Sequence, residues 1–305
     1  STSQPVTTTH GSLSALVLAT PAQGSGSDLA FDTQPILELR DSAGNRVSTS
    51  AQASLTVRAS QPGLDKANDG ADLGGTIDVA AQGGVVNFAD LKLTGKVASY
   101  SLSYTVIGSV FSTSQNISLA AGDPDSFRFL QQPTDFVAGI GFSPAVSAEV
   151  IDSEGNRVLS ASNSVNVFWA MNGVGSYGLT SGFIPSSGVL DLSALNFTKA
   201  ASYKLRLESS GLTSVSSDNF VIGHDVAAGL EWIVDPTGGW QSGKDITSLP
   251  KLSVVDQYNN AVSTGPTVTV SASVVGANSS GVLAVTGNEV SGVEEVEFAN
   301  LNITA

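Results

Sequence analysis

One phrase is written three times along this chain. Residues 38–47 read ELRDSAGNRV, residues 149–158 read EVIDSEGNRV and residues 253–262 read SVVDQYNNAV, so Asp41, Asp152 and Asp256 recur at intervals of 111 and 104 residues. Each copy is an alternating apolar run, an aspartate and a turn rich in Gly or Asn. A period of about 100 residues is too long for a solenoid unit, which spans about 20 to 50, and fits a small domain repeated in tandem. Further landmarks keep the same order. SALVLATP ends at Pro21, SFRFLQQP at Pro133 and LEWIVDP at Pro236. GVVNFADLKLTG starts at Gly84, GVLDLSALNFTK at Gly188 and GVEEVEFANLNITA at Gly292, and ASYSLSY at 98–104 matches ASYKLRL at 201–207.

The middle repeat shows what each unit is made of. Phe127, Phe129 and Gln131 alternate with Arg128 and Leu130 up to Pro133; Val146, Ala148 and Val150 alternate up to Asp152, where SEGN turns the chain. Asp, Gly and Asn do this by side-chain bonding and positive φ. Val165, Val167 and Trp169 follow, then a Gly-rich loop, then 189–197, 203–207 and 215–222. Period-2 alternation between turn clusters at this spacing marks a β-sandwich, and no stretch carries a helical period with caps. The fold class is therefore all-β, a tandem of immunoglobulin-like sandwiches. Aligned inward sites are filled differently, by Val17, Phe129 and Trp232 in one place and by Ala59, Trp169 and Ala272 in another, which puts Trp169 and Trp232 in cores.

The register divides the chain into 1–11, the closing strand of a preceding repeat; 12–121 and 122–224, two complete repeats; and 225–305, a repeat whose last strands are missing. On this reading the chain is a window from a longer array; the alternative is that the missing strands come from another chain. The junctions at 119–125 (LAAGDPD) and 222–227 (IGHDVA) contain no Ser/Gly or Pro tract, so an extended, fairly stiff rod is expected.

Composition narrows the function. The formal net charge of −14 works against binding nucleic acid through its phosphates and against adsorption to anionic lipid. With no cysteine, thiolate chemistry, thiolate metal sites and the inter-sheet disulfide are excluded, and each core must hold itself. No apolar run approaches the roughly 18 residues of a membrane span.

Catalysis has little to work with. The two histidines, His10 and His224, fall in equivalent junctions and read as packing contacts; no GxSxG surrounds a partner serine. Glu294, Glu295 and Glu297 read as the solvent side of a strand. The first repeat carries an insertion, QPGLDKANDGADLGG, in which Asp65, Asn68, Asp69 and Asp72 are oxygen donors. A calcium loop of the EF-hand kind wants donors at its first, third and fifth positions and a Glu at its twelfth, where this segment has Ala67 third and Thr76 twelfth. Asp65, Asp69 and Asp72, and the junction acids Asp123, Asp125 and Asp225, are the candidates for a structural Ca²⁺; no other cofactor is expected. Trp240, in a loop or short edge strand, and Tyr177, in the Gly-rich loop of the second repeat, are the candidate ligand contacts. Sequons stand at Asn116, Asn196, Asn278 and Asn302.

Asp-x-x-Gly-Asn-x-Val, a strand, a Gly-rich loop, a GV-x-x-apolar-x-x-Leu segment and a closing Ser-Tyr-x-Leu resemble the bacterial immunoglobulin-like repeats of invasin- and intimin-type adhesins, large repetitive surface proteins and some surface-layer proteins. The resemblance covers nearly the whole chain, at 41–47, 152–158 and, with Asn260 standing for part of the Gly-Asn pair, 256–262. It implies a non-catalytic extracellular rod or fibre segment at a prokaryotic cell surface, with neighbouring repeats or copies of the same protein as partners. Two alternatives remain open: an adhesin module that binds a glycan or host surface protein, and spacer domains of a secreted enzyme.

Overall fold

Period-2 alternation in the sequence becomes paired strands whose alternate side chains are buried, and no α-helix occurs among the described residues. The computed structural model describes residues 9–235, 248–265, 267–272, 284–286, 289–292, 294–298 and 302–304.

The second unit shows the topology most fully. Ser126–Gln131, Ser147–Ile151 and Val189–Asp191 form one sheet in that order. Facing it is a five-stranded sheet in the order Phe136–Val137, Val215–Gly223, Ala201–Glu208, Val165–Met171 and Val174–Phe183. Phe136–Val137 runs parallel to the end of Val215–Gly223, while the other pairs in that sheet are antiparallel. In immunoglobulin notation this is A-B-E against A′-G-F-C-C′. The first unit repeats it, with Leu13–Thr20, Ile36–Asp41 and Val85–Asn87 against Asp78–Ala80, Thr56–Ser60, Ala98–Val106 and Ser112–Leu119. In the third unit Ala227–Val234, Lys251–Asp256 and Glu295–Glu297 form the A-B-E sheet.

Three separate cores form between these sheets. The first is largely aliphatic, built on Leu37, Leu39, Leu91, Leu93 and Leu102 with Tyr104. The second is aromatic: Phe197 makes edge contacts with Phe142, Trp169 and Phe220. The third includes Leu252, Val254, Val296 and Phe298. No cysteine links any of them, so each rests on apolar burial, at about 1.5–3 kcal/mol per large side chain.

A local device recurs at the start of strand F. The Tyr100 hydroxyl donates to the Lys96 carbonyl at 2.7 Å, and the Tyr203 hydroxyl donates to the Lys199 carbonyl at 3.0 Å. This is the tyrosine corner of immunoglobulin sandwiches, which fixes the loop entering strand F. The repeated Ala-Ser-Tyr of the sequence is its signature.

Some local expectations are corrected. Trp232 is 50% exposed rather than buried: among the described residues Ala227–Val234 is an edge strand paired with Lys251–Asp256, and its residues are exposed from Ala227 to Ile233. Trp169 does pack against the second core, over Gly178, where any side chain would collide with the indole. The expected Gly-rich loop after Val165–Met171 is instead strand Val174–Phe183, reached through a tight turn with Asn172 and Gly173 at φ of 53° and 73°. Of 189–197, only Val189–Asp191 is strand, although Leu192, Leu195 and Phe197 remain buried. Glu295 and Glu297 face solvent on either side of buried Val296, as expected.

Candidate functional site

The recurring aspartate ends strand B and organises the turn after it. Asp152 Oδ1 accepts from the amides of Glu154 and Asn156, at 2.9 and 2.8 Å. Its Oδ2 accepts from the Gly122 amide in the incoming linker at 2.8 Å and from Asn156 Nδ2 at 2.9 Å. Asp256 does the same with the amides of Tyr258 and Asn260, the linker amide of Asp225 and the side chain of Asn260. Asp41 takes the amides of Ala43 and Asn45, the Gly11 amide at 2.6 Å and Asn45 Nδ2. One carboxylate therefore closes its own turn and holds the chain arriving from the preceding side.

These donors act on ionisation. Led by the Gly11 amide and helped by Asn45 and Ala43, they overcome burial and hold the Asp41 carboxyl at about 2. Burial opposes ionisation of Asp256, but the Asn260 side chain and amide, with the amides of Asp225 and Tyr258, outweigh it and keep the carboxyl below its ordinary range.

The turn needs one residue in the left-handed region just before the asparagine. Gly44 and Gly155 supply it at φ of 83° and 75°. In the third repeat Asn259 takes the glycine's place at φ 58°, and Asn260 is the counterpart of Asn45 and Asn156 rather than a substitute for the pair. Asn is the residue other than Gly best suited to that conformation.

The asparagine reaches beyond its own unit. Asn156 Oδ1 accepts from the Val97 amide at 3.0 Å, and its Nδ2 donates to the Gly95 carbonyl at 2.9 Å. Asn260 Oδ1 accepts from the Ala200 amide at 2.8 Å, and its Nδ2 donates to the Thr198 carbonyl at 2.7 Å. Each asparagine thus reads a carbonyl and an amide two residues apart on the tyrosine corner of the unit before it. The lysine between them also crosses: Lys96 Nζ donates to the Glu154 carbonyl at 2.6 Å and Lys199 Nζ to the Asn259 carbonyl at 3.0 Å. Asn156 and Asn260 are buried by these contacts, with 7% and 2% of their surface exposed.

The remaining turn position differs between junctions. Glu154 pairs with Lys66 of the first unit at 2.6 Å, whereas Tyr258 packs against the second core and lies over Gly139.

Lys66 belongs to the insertion, which gives that segment a place in the junction. Its strand Ala71–Gly74 pairs with Lys92–Gly95, beside the corner. Asp65 Oδ1 accepts from the Asn68 amide and from Asn68 Nδ2, and Asp72 Oδ1 accepts from the Lys66 amide. Asp69 sits in the left-handed region at φ 58°. Asp123 stands in the linker next to Gly122; Asp125 exchanges main-chain bonds with Ile151 and Thr213, and Asp225 Oδ2 accepts from Gln257. Among the described residues no group of three or more His, Cys, Asp or Glu is arranged to hold a metal ion.

His10 and His224 tie linker to turn. Nδ1 of each donates to the carbonyl of the next residue, Gly11 or Asp225. Nε2 accepts from the amides of Thr49 and Thr264 and meets their hydroxyls at 2.8 and 3.1 Å. With Nδ1 on a main-chain carbonyl instead of a carboxylate, this is not the geometry of a nucleophile and its base. The middle junction has Ala121 and Ser160 in these places.

Tyr177 falls on strand Val174–Phe183, and its side chain lies outside the described residues, as does Trp240. Asn116 and Asn196 are exposed, while Asn278 and the side chain of Asn302 are outside the described residues.

No protein-family model matches the sequence, and no curated protein matches it. Among solved structures it is similar to InvD of Yersinia pseudotuberculosis (14% identity, 95% of this chain and 81% of that one, TM-score 0.37). It is similar also to invasin, described as a bacterial integrin-binding protein (14% identity, 92% and 54%, TM-score 0.32), and to domains 4–9 of the surface-layer protein SbsC (12% identity, 94% and 43%, TM-score 0.26). The chain spans about half the length of the invasin structure. All three TM-scores are below 0.5, and the fold assignment rests on the strand order itself.

Proposed function

We propose that this chain is a non-catalytic structural segment of an extracellular surface fibre, adhesin stalk or cell-envelope layer, in which immunoglobulin-like modules follow one another in a fixed relative orientation. The observation that carries this reading is the pair of crossings by Asn156 and Asn260, each reading the tyrosine corner of the preceding unit through two hydrogen bonds. Modules joined only by linkers move relative to one another by default. A buried asparagine repeated at the same place in successive junctions works against that motion and favours transmission of length and direction. Net charge of −14 keeps such a surface soluble and self-repelling. On this reading the module boundaries fall at residues 121/122 and 224/225.

Small-angle scattering of the chain tests the proposal. A maximum dimension close to three modules end to end, shortened and broadened when Asn156 and Asn260 are both changed to Ala, supports it. A compact particle, or a profile indifferent to both changes, refutes it.

A further inference from the structure

Asn45 is the counterpart of Asn156 and Asn260, yet among the described residues its side-chain amide makes one bond only, from Nδ2 to Asp41 Oδ2 at 3.2 Å. Where Asn156 and Asn260 are buried, Asn45 is exposed together with Ser42, Ala43, Gly44 and Arg46. Beside it lies an open polar groove lined by Thr9, His10, Asn45, Arg46, Ser48 and Thr49. The rest of the clamp is assembled: Asp41 holds the turn amides and the linker amide of Gly11, with the same atoms that Asp152 and Asp256 use. The turn is therefore formed in the conformation that engages a corner, while among the described residues no corner meets its side-chain amide.

The two occupied turns define what fits. Each takes a carbonyl, a lysine and an amide on three consecutive residues, Gly95–Lys96–Val97 or Thr198–Lys199–Ala200, stiffened by a tyrosine hydroxyl on the lysine's own carbonyl. Both of these corners are engaged by Asn156 and Asn260, so a second copy of this chain cannot offer either without opening a junction. Ala43 stands where Glu154 and Tyr258 make their junction-specific contacts, so that position presents neither a carboxylate nor a ring for a partner to match.

We infer that the Asp41–Asn45 turn is a docking surface for the tyrosine corner of another immunoglobulin-like module entering from the Gly11 side, recognised by its carbonyl–Lys–amide triplet. The inference rests on the functional reading above and names the partner of that site. Asn45 Oδ1 accepts the partner's corner amide, Nδ2 donates to the corner carbonyl two residues earlier, and the partner's lysine reaches a carbonyl of the 41–45 turn. Docking buries Asn45 as Asn156 and Asn260 are buried.

The test adds such a module to the chain. Residues 122–224 are placed directly ahead of residues 11–305, so that a free Thr198–Ala200 corner precedes Gly11; a second version carries residues 12–121 in that position, so that failure of one added core to fold leaves the other. The chain has no cysteine, so spin labels on introduced cysteines report alone. One pair joins exposed Asn219 of the added module to Asn116 of the resident first unit; the second version uses Asn116 of its added module. The reference pair joins Asn116 to Asn219 across the resident junction. The expected result is an added-junction distance distribution as narrow as the reference, broadened roughly twofold or more by Asn45→Ala. A broad distribution with Asn45 intact, or a narrow one that survives Asn45→Ala, overturns the inference. A reference pair that stays narrow in Asn156→Ala overturns the underlying clamp instead, and so separates the two failures.

Discussion

Replacing Asn156 with Ala isolates the contribution of the clamp. The change removes one bond within the turn, to Asp152, and two bonds across the junction, from the Val97 amide and to the Gly95 carbonyl. Neutral hydrogen bonds contribute about 0.5–1.5 kcal/mol each, so the crossing pair contributes about 1–3 kcal/mol. The structure places the cost in the lower part of that range. The Gly95 carbonyl keeps a second donor in the Ser27 hydroxyl at 3.1 Å. Val97 is 53% exposed, so water reaches its amide once Asn156 is gone. A cost of about 1–2 kcal/mol corresponds to a factor of roughly 5 to 30 in the opening equilibrium. The Val97 amide has Asn156 as its acceptor; with that acceptor gone it is open to water, so its hydrogen exchange should accelerate by at least that factor. Asn45→Ala, which removes only a bond within a turn, is the control and should leave Val97 exchange untouched. Asn156→Asp should be worse than Ala, because it places a second carboxylate against Asp152 and turns an acceptor toward the Gly95 carbonyl. Unchanged Val97 exchange in Asn156→Ala, or equal acceleration in Asn45→Ala, would refute the reasoning.

Other outcomes follow from the same geometry. Because the Asp41 carboxyl is held at about 2 in the folded chain, below the unfolded value near 3.9, its contribution is complete above about pH 4 and is lost as pH falls toward about 2; Asp41→Asn should flatten the acid limb of the first unit's stability in that window, measured by calorimetry against pH. The Tyr104 hydroxyl is buried in the first core and has no hydrogen-bond partner among the described residues, so Tyr104→Phe should be neutral or stabilise the first unit by about 1 kcal/mol in urea unfolding, and a clear loss would reveal a partner for that hydroxyl. A Cβ on Gly178 would lie 1.8 Å from the Trp169 indole, so Gly178→Ala should destabilise the second unit by about 1–3 kcal/mol and shift tryptophan emission. Tyr203→Phe frees the Lys199 carbonyl from its corner bond and should speed Ala200 amide exchange, whereas a corner rigid without its tyrosine would leave Ala200 unchanged.

The strands were readable because alternation and turn chemistry act over a few residues. Asp152 with Gly155 and Asn156 announces a turn, and the turn is there. The junction was not readable in the same way. The bonds from Asn156 to Gly95 and Val97 span about sixty residues, and those from Asn260 to Thr198 and Ala200 span a similar distance; no local rule says which loop of one unit lies over which turn of the next. A signal was nonetheless present. When the third repeat loses its glycine to Asn259, it keeps Asp256 and Asn260, and both complete corners keep Lys four residues before Tyr. A turn alone does not need the asparagine to persist when the glycine does not. The exposure of Trp232 was hidden for a different reason: alternation marks a strand but does not say whether anything packs on it.

The three turns also separate what is constant from what varies at a junction. The asparagine uses main-chain atoms of the partner corner and the aspartate uses main-chain amides of its own turn and linker, so they accept any corner of the right shape and carry little information about its sequence. Discrimination falls to the third turn position, which is Ala43, Glu154 or Tyr258. Glu154 requires a cation at the place of Lys66, which the second unit does not offer because it lacks the insertion. Tyr258 requires a glycine at 139, since any side chain there would meet its ring. Specificity arises when the wrong partner leaves a charge unpaired or forces an overlap. The order of modules is therefore encoded at one position per turn, while their coupling is encoded at two. Exchanging Glu154 and Tyr258 alone should loosen both junctions, leave the three cores melting as before, and be rescued at the second junction by moving the Lys66 insertion into the second unit. Looser junctions that the insertion fails to tighten would show that the third position does not discriminate.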